Sequence, residues 1–161
     1  MFDFLKKKKK QEIHAPFAGK ITGITEVPDP VFSQKMVGDG FAVTPAGQIV
    51  EALAPISGEL SVLFPTGHAY GIKTEDGFEV LVHLGLDTVE LNGDGFECLK
   101  EQGQQVSAGE PVVRMDIEKI EAAGKATITP VVFTNKEMVK EIEILKTDCE
   151  AADIVAKVEC K

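Results

Sequence analysis

From Ile13 to about Phe133, short runs of β-branched and other apolar residues alternate with Gly, Pro, Asp and Asn, a break falling roughly every 6–12 residues. That spacing predicts an all-β chain, an antiparallel sandwich or barrel-like arrangement, because short strands joined by tight turns need stop signals at about that interval. The candidate strands are Gly19–Glu26, Phe41–Pro45, Gln48–Glu51, Gly58–Leu63, Ala69–Thr74, Phe78–Leu84, Phe96–Leu99, Pro111–Asp116, Thr127–Thr134 and Ile142–Lys146. Helical periodicity is scarce. Ile117–Ala123 carries it, with Gly124 as a stop, and Lys136–Lys140 suits one further turn.

The pattern also repeats. Ala15-Pro16-Phe17-Ala18-Gly19-Lys20-Ile21 recurs 39 residues later as Ala54-Pro55-Ile56-Ser57-Gly58-Glu59-Leu60. In both copies Pro forbids helix, Gly permits a tight turn and an extended run follows. A third echo, Gly103 to Val113, has the same turn-then-strand form. These copies point to an internally duplicated, pseudo-symmetric sandwich.

Composition narrows the function. The 161 residues are 43% apolar and 27% charged, which suits one globular domain with its own core. Seventeen basic residues face 26 acidic ones, a net charge of −9. Setting aside Asp3 and the five lysines of the first ten residues leaves 12 basic against 25 acidic. A body that acidic repels nucleic acid and favours a basic protein partner. Cys98, Cys149 and Cys160 are odd in number, lack metal-ligand spacing and accompany no secretory signal pattern, so the reducing cytosol is the expected compartment.

Residues 1–11 read as a flexible lysine-rich tail ahead of a domain spanning 12–161. In a second reading Phe2, Phe4 and Leu5 enter a membrane interface while Lys6–Lys10 meet anionic head groups, a weak contact with the inner face of a membrane.

Two of the three histidines can be related by register. Thr74-Glu75-Asp76-Gly77 is a hairpin signal, and a four-residue loop has Lys73 facing Phe78. Continued outward, that register sets His68 directly opposite His83, with Cβ atoms about 4.5–5.5 Å apart. Two imidazoles on one face at a strand end both titrate near neutrality and repel when charged, an arrangement more typical of a functional site than of packing. Thr66, two residues before His68, shares its face if the segment is extended, and its hydroxyl can hold a tautomer or reach a phosphoryl oxygen. His14 has no such partner and reads as an ordinary half-buried ring.

Facing imidazoles suit phosphoryl transfer: one neutral ring attacks phosphorus while the other donates a hydrogen bond to the developing charge. A zinc hydrolase needs a third ligand, and no His-x-His or His-Glu-x-x-His spacing supplies one. Gly38-Asp39-Gly40 does not make a nucleotide phosphate loop, so neither ATP nor another cofactor is expected.

Several motifs resemble a known family. Val27-Pro28-Asp29-Pro30-Val31-Phe32, Val37-Gly38-Asp39-Gly40, Gly67-His68-Ala69, Val82-His83-Leu84-Gly85-Leu86-Asp87-Thr88-Val89-Glu90-Leu91 and Thr129-Pro130-Val131-Val132 are similar to the glucose-type IIA component of the bacterial phosphoenolpyruvate-dependent sugar phosphotransferase system. The resemblance implies an antiparallel β sandwich of the duplicated hybrid motif type, with the two histidines in a shallow apolar depression. It makes His83 the phosphorylated residue through Nε2, with the Gly85 carbonyl holding the proton on its other nitrogen, His68 stabilising the phosphoryl group and Thr66 bonded to His68. It also implies a donor, the histidine-containing phosphocarrier protein, and an acceptor, a cysteine on the IIB domain of a sugar permease.

By position, the implied docking surface comprises Val31, Phe32, Met36, Val37, Phe64, Leu81 and Val89, rimmed by Asp29, Asp87 and Glu90. Lys73, where some members have an acid, and Leu81, where they have Phe, leave partner preference open. A regulatory binding module, whose protein targets depend on histidine phosphorylation, is the alternative function. The identity of the sugar and whether the domain stands free or belongs to a longer permease are also open, the initiating Met with its own tail favouring a free-standing chain.

Overall fold

In the computed structural model, which describes residues 10–161, strands pair antiparallel throughout and the helices are short. The strands are β1 (Lys10–His14), β2 (Gly19–Gly23), β3 (Asp39–Pro45), β4 (Ile49–Leu53), β5 (Gly58–Leu63), β6 (Ala69–Lys73), β7 (Glu79–His83), β8 (Phe96–Cys98), β9 (Gln105–Val106), β10 (Pro111–Asp116), β11 (Thr129–Phe133), β12 (Val139–Ile144), β13 (Asp148–Cys149) and β14 (Ile154–Cys160). Helix α1 (Pro30–Ser33) follows β2, and α2 (Ile117–Ala122) follows β10. One open eight-stranded sheet has the order β13-β2-β3-β11-β7-β6-β5-β9, and two three-stranded sheets run β1-β14-β12 and β4-β10-β8. Together they form a β sandwich, as the turn spacing predicts.

Alternation makes the core. Along β7, Val80 and Val82 point inward and are buried, while Glu79, Leu81 and His83 take the other face. Phe17, Phe41, Tyr70, Phe78, Phe133 and Met115 fill the interior, and the buried Tyr70 hydroxyl donates to the Leu53 carbonyl at 2.8 Å. A smaller cluster of Ile24, Val27, Phe32, Ala42, Leu86 and Val132 lies beneath α1.

Element boundaries differ where local hydrogen bonds override an extended pattern. The candidate strand Gly19–Glu26 ends at Gly23, because Ile24–Glu26 winds into a 3-10 turn closed by Val27 N–H on the Ile24 carbonyl. Helix α1 is absent from the sequence reading, although Asp29 caps it and Pro30 opens it. Lys10 and Gln11, read as tail, instead pair with Glu159 and Val158 in β1. The remaining tail, including Phe2, Phe4, Leu5 and its proposed membrane contact, lies outside the described residues. No helix among the described residues is long and apolar enough to cross a membrane.

The repeat is a pseudo-twofold written in hydrogen bonds. His14 N–H donates to Pro55 O at 2.8 Å, and Leu53 N–H to Pro16 O at 2.9 Å. Ala15 and Ala54 likewise donate to Asp153 and Glu110, while Ala152 and Gly109 donate back to Ala15 and Ala54. The same exchange maps β2 on β5, β3 on β6 and β13 on β9, so the strand order of the large sheet reads alike from both ends. Residues 146–156 are therefore a further copy of the Gly103–Val113 turn. Its sequence hides the match because Ala152, at φ 68°, occupies the place of Gly109, at φ 93°.

Candidate functional site

The β6–β7 hairpin corrects the register read from sequence. Thr74 N–H donates to Phe78 O at 2.9 Å and Gly77 N–H to Thr74 O at 3.0 Å, so the loop is Glu75-Asp76-Gly77, three residues with Gly77 at φ 102°. This is the turn-plus-glycine hairpin, and it moves the pairing by one. Ala69, not His68, lies opposite His83. A strict ladder would then turn the two histidines to opposite faces.

They meet nevertheless, with ring centroids 5.4 Å apart at an interplanar angle of 77°. The reason is that His68 precedes the strand. Gly67 N–H closes a turn on Phe64 O, Gly67 sits at φ 77°, and the chain swings before alternation begins at Ala69. Leu84 N–H donates to His68 O at 2.7 Å, so the segment carrying one ring is tied to the residue after the other.

Hydrogen bonds then orient each ring. His83 Nδ1 lies 2.7 Å from the Gly85 carbonyl oxygen. A carbonyl only accepts, so Nδ1 carries the hydrogen and a neutral His83 keeps its lone pair on Nε2. His68 Nδ1 lies 2.5 Å from the Thr66 hydroxyl, which can donate to it. In that arrangement Nε2 of His68 carries its hydrogen and is a donor, while Nε2 of His83 keeps its lone pair. Thr66 reaches His68 from within the turn rather than along an extended strand.

The rings differ in access. His68 is 4% exposed, whereas His83 is half-buried. Phe64 covers His68 edge-on at 4.9 Å between centroids, and Phe32 tilts over His83 at 5.3 Å. Phe32, read as docking surface, is only 6% exposed; it supports His83 from the small cluster under α1. Val31, Met36, Phe64 and Val89 are exposed, with Met36 the most open at 61%. Val37 and Leu81 are half-buried against the small cluster. Of the seven apolar residues implied as docking surface, four are thus exposed, and Phe64 is the one of these that packs on a histidine ring.

Burial lowers the pKa of both rings. For His68 the neighbouring His83 adds to that effect; for His83 the Gly85 carbonyl and the carboxylates of Asp29 and Asp87 oppose it without cancelling it. Both rings are thus biased toward the neutral form that attack on phosphorus requires. Asp29 also accepts from Val31 N–H at 3.0 Å as the cap of α1. Glu90 is paired with Lys125, a cation in the acidic rim that the sequence reading passed over. Among the described residues, no three His, Cys, Asp or Glu side chains gather to hold a metal.

Fold and site define a class: an antiparallel β sandwich bearing an oriented histidine pair beside exposed apolar side chains and carboxylates. Residues 11–139 match the family described as phosphoenolpyruvate-dependent sugar phosphotransferase system, EIIA 1. The chain belongs to that family. It is 45% identical over 137 residues to the glucose-specific EIIA component of Staphylococcus epidermidis strain RP62A, covering 84% of this chain and 81% of that one. It is 50% identical over 151 residues to the glucose-specific EIICBA component of Streptococcus pneumoniae, covering 92% of this chain but spanning only 20% of that protein's length. The structure of glucose permease IIA from Mycoplasma capricolum superposes with a TM-score of 0.86 at 41% identity, covering 92% of this chain and 96% of that one.

Proposed function

We propose that this chain carries phosphoryl groups on His83 during sugar uptake, and the bond from His83 Nδ1 to the Gly85 carbonyl is the observation that carries the proposal. With its hydrogen committed to that acceptor, the ring presents Nε2 as nucleophile on the more accessible of the two histidines. Nε2 attacks phosphorus on the phosphohistidine of the histidine-containing phosphocarrier protein. The donor's N–P bond breaks as the His83 N–P bond forms, and Nδ1 keeps its proton throughout. His68, with Nδ1 accepting from Thr66, donates Nε2–H to the phosphoryl oxygens. The thiolate of the acceptor cysteine on a IIB domain then attacks the same phosphorus and regenerates the neutral ring.

Val31, Met36, Phe64 and Val89 exclude water on docking, Leu81 and Val37 back them, and Asp29, Asp87 and Glu90 attract a basic donor surface. The relatives named for glucose support a sugar of that kind as the final acceptor. Incubation with the phosphocarrier protein, its kinase and labelled phosphoenolpyruvate tests the assignment. One acid-labile phosphohistidine is expected, abolished in His83→Ala. His68→Ala is expected to accept label but pass it on poorly. Label persisting in His83→Ala overturns the proposal, and equal loss of both half-reactions in His68→Ala overturns the division of labour.

A further inference from the structure

The Gly85 carbonyl aims His83, yet glycine has no side chain to resist rotation, and Gly85 sits at φ 81°. Something outside the residue must set that carbonyl. Two contacts do. Leu86 N–H, in the same peptide group as the Gly85 carbonyl, donates to Ala126 O at 3.1 Å. On the other side, the fully buried Thr88 donates its hydroxyl to Leu84 O at 2.7 Å, holding the peptide group that enters Gly85. The Thr88 methyl also packs against the glycine, since a Cβ built there would lie 2.7 Å from Thr88 Cγ2 and 2.7 Å from Ala126 O.

We infer that Thr88 is a positioning residue for the histidine pair, acting through the Leu84–Gly85 peptide rather than by touching either ring. Leu84 is where the two halves of the site join: its carbonyl takes the Thr88 hydroxyl and its N–H holds the His68 carbonyl. The hydroxyl therefore helps set both the direction of the bond that fixes the His83 tautomer and the position of the peptide through which the two ring-bearing segments are tied. Removing it leaves the Leu84 carbonyl without that buried donor and the Gly85 carbonyl held from one side only, by the Leu86–Ala126 bond. A purely structural threonine would instead affect stability alone.

The inference rests on the phosphoryl-carrier reading, and its test separates the two. Long-range proton–nitrogen correlation spectra of the nitrogen-15-labelled protein read the His83 tautomer, while phosphoryl transfer from the phosphorylated phosphocarrier protein reads the rate. In Thr88→Val, which keeps the shape but not the donor, the Nδ1–H form is expected to give way to a mixture with Nε2–H. Transfer is expected to fall up to roughly tenfold, the equivalent of losing a hydrogen bond worth about 0.5–1.5 kcal/mol. Thr88→Ser, which keeps the donor, is expected to retain the tautomer and most of the rate even where its melting temperature drops.

A Thr88→Val protein with the wild-type tautomer and rate overturns the inference. Should Thr88→Val not fold, a folded Thr88→Ser that has lost the Nδ1–H form overturns it instead. Wild-type protein that takes no label at all defeats the carrier reading, whatever the spectra show.

Discussion

Replacing Gly85 by alanine tests how tightly the loop after β7 is built, and Gly124 supplies the matched control. The two glycines share a positive φ, 81° and 82°. Around Gly124 a new Cβ meets nothing within 4 Å, whereas at Gly85 it lies 2.7 Å from both Ala126 O and Thr88 Cγ2. Both substitutions carry the strain of a left-handed alanine, roughly 1–2 kcal/mol. Only Gly85→Ala adds overpacking against a backbone oxygen and a buried side chain, roughly 1–3 kcal/mol more. Offset by the roughly 0.4–1 kcal/mol that alanine gains by stiffening the unfolded chain, Gly124→Ala should thus cost about 0.5–1 kcal/mol and Gly85→Ala about 1.5–4 kcal/mol. Urea unfolding of the three proteins measures this, the midpoints shifting while the slope stays constant. Relief of the clash must also move the Gly85 carbonyl, so phosphorylation of Gly85→Ala should slow as well. Equal destabilisation of the two variants would refute the close packing claimed for this loop.

Ala152→Gly should stabilise the protein by about 0.5–1 kcal/mol, since it relieves the strain at φ 68° at some entropic cost; a lower urea midpoint would count against this. Thr66→Val removes the 2.5 Å bond to His68 and should slow transfer roughly two- to twelvefold, the equivalent of a hydrogen bond worth roughly 0.5–1.5 kcal/mol; an unchanged single-turnover rate contradicts that role. Both histidines are held below the ordinary value of about 6.5. Between the lowered value and 6.5 the unfolded chain binds more protons than the folded one, so stability rises with pH there and is lost on acidification. In a His68→Gln, His83→Gln double variant that dependence should flatten across the same window, and an unaltered pH profile of unfolding would show that burial of the rings does not cause it.

The strands that were legible in the sequence are those bounded by Gly and Pro. β5 and β10 match their candidates to the residue, because Gly58 and Pro111 punctuate sharply. β1 and β14 were missed because charged residues interrupt their apolar pattern and their buried faces emerge only on pairing with each other. The last copy of the repeat was hidden by Ala152, which adopts a glycine's conformation without being one.

At the site, Asp-Gly correctly marked the hairpin but did not distinguish a four-residue loop from a three-residue loop, and the one-residue difference decides which face each histidine takes. Their contact comes from the Gly67 turn, a non-local departure from strand alternation that periodicity cannot foresee. Lys125 joined the rim through an ion pair 35 residues away in sequence, with no local signal to reveal it.

The most direct measurement is nuclear magnetic resonance of the phosphorylated, nitrogen-15-labelled protein, which reports the residue and the ring nitrogen bearing phosphorus. The phosphoryl group is expected on Nε2 of His83 with Nδ1–H still present, because the Gly85 carbonyl holds the hydrogen on Nδ1. Phosphorus on Nδ1 of His83, or on His68, would contradict it.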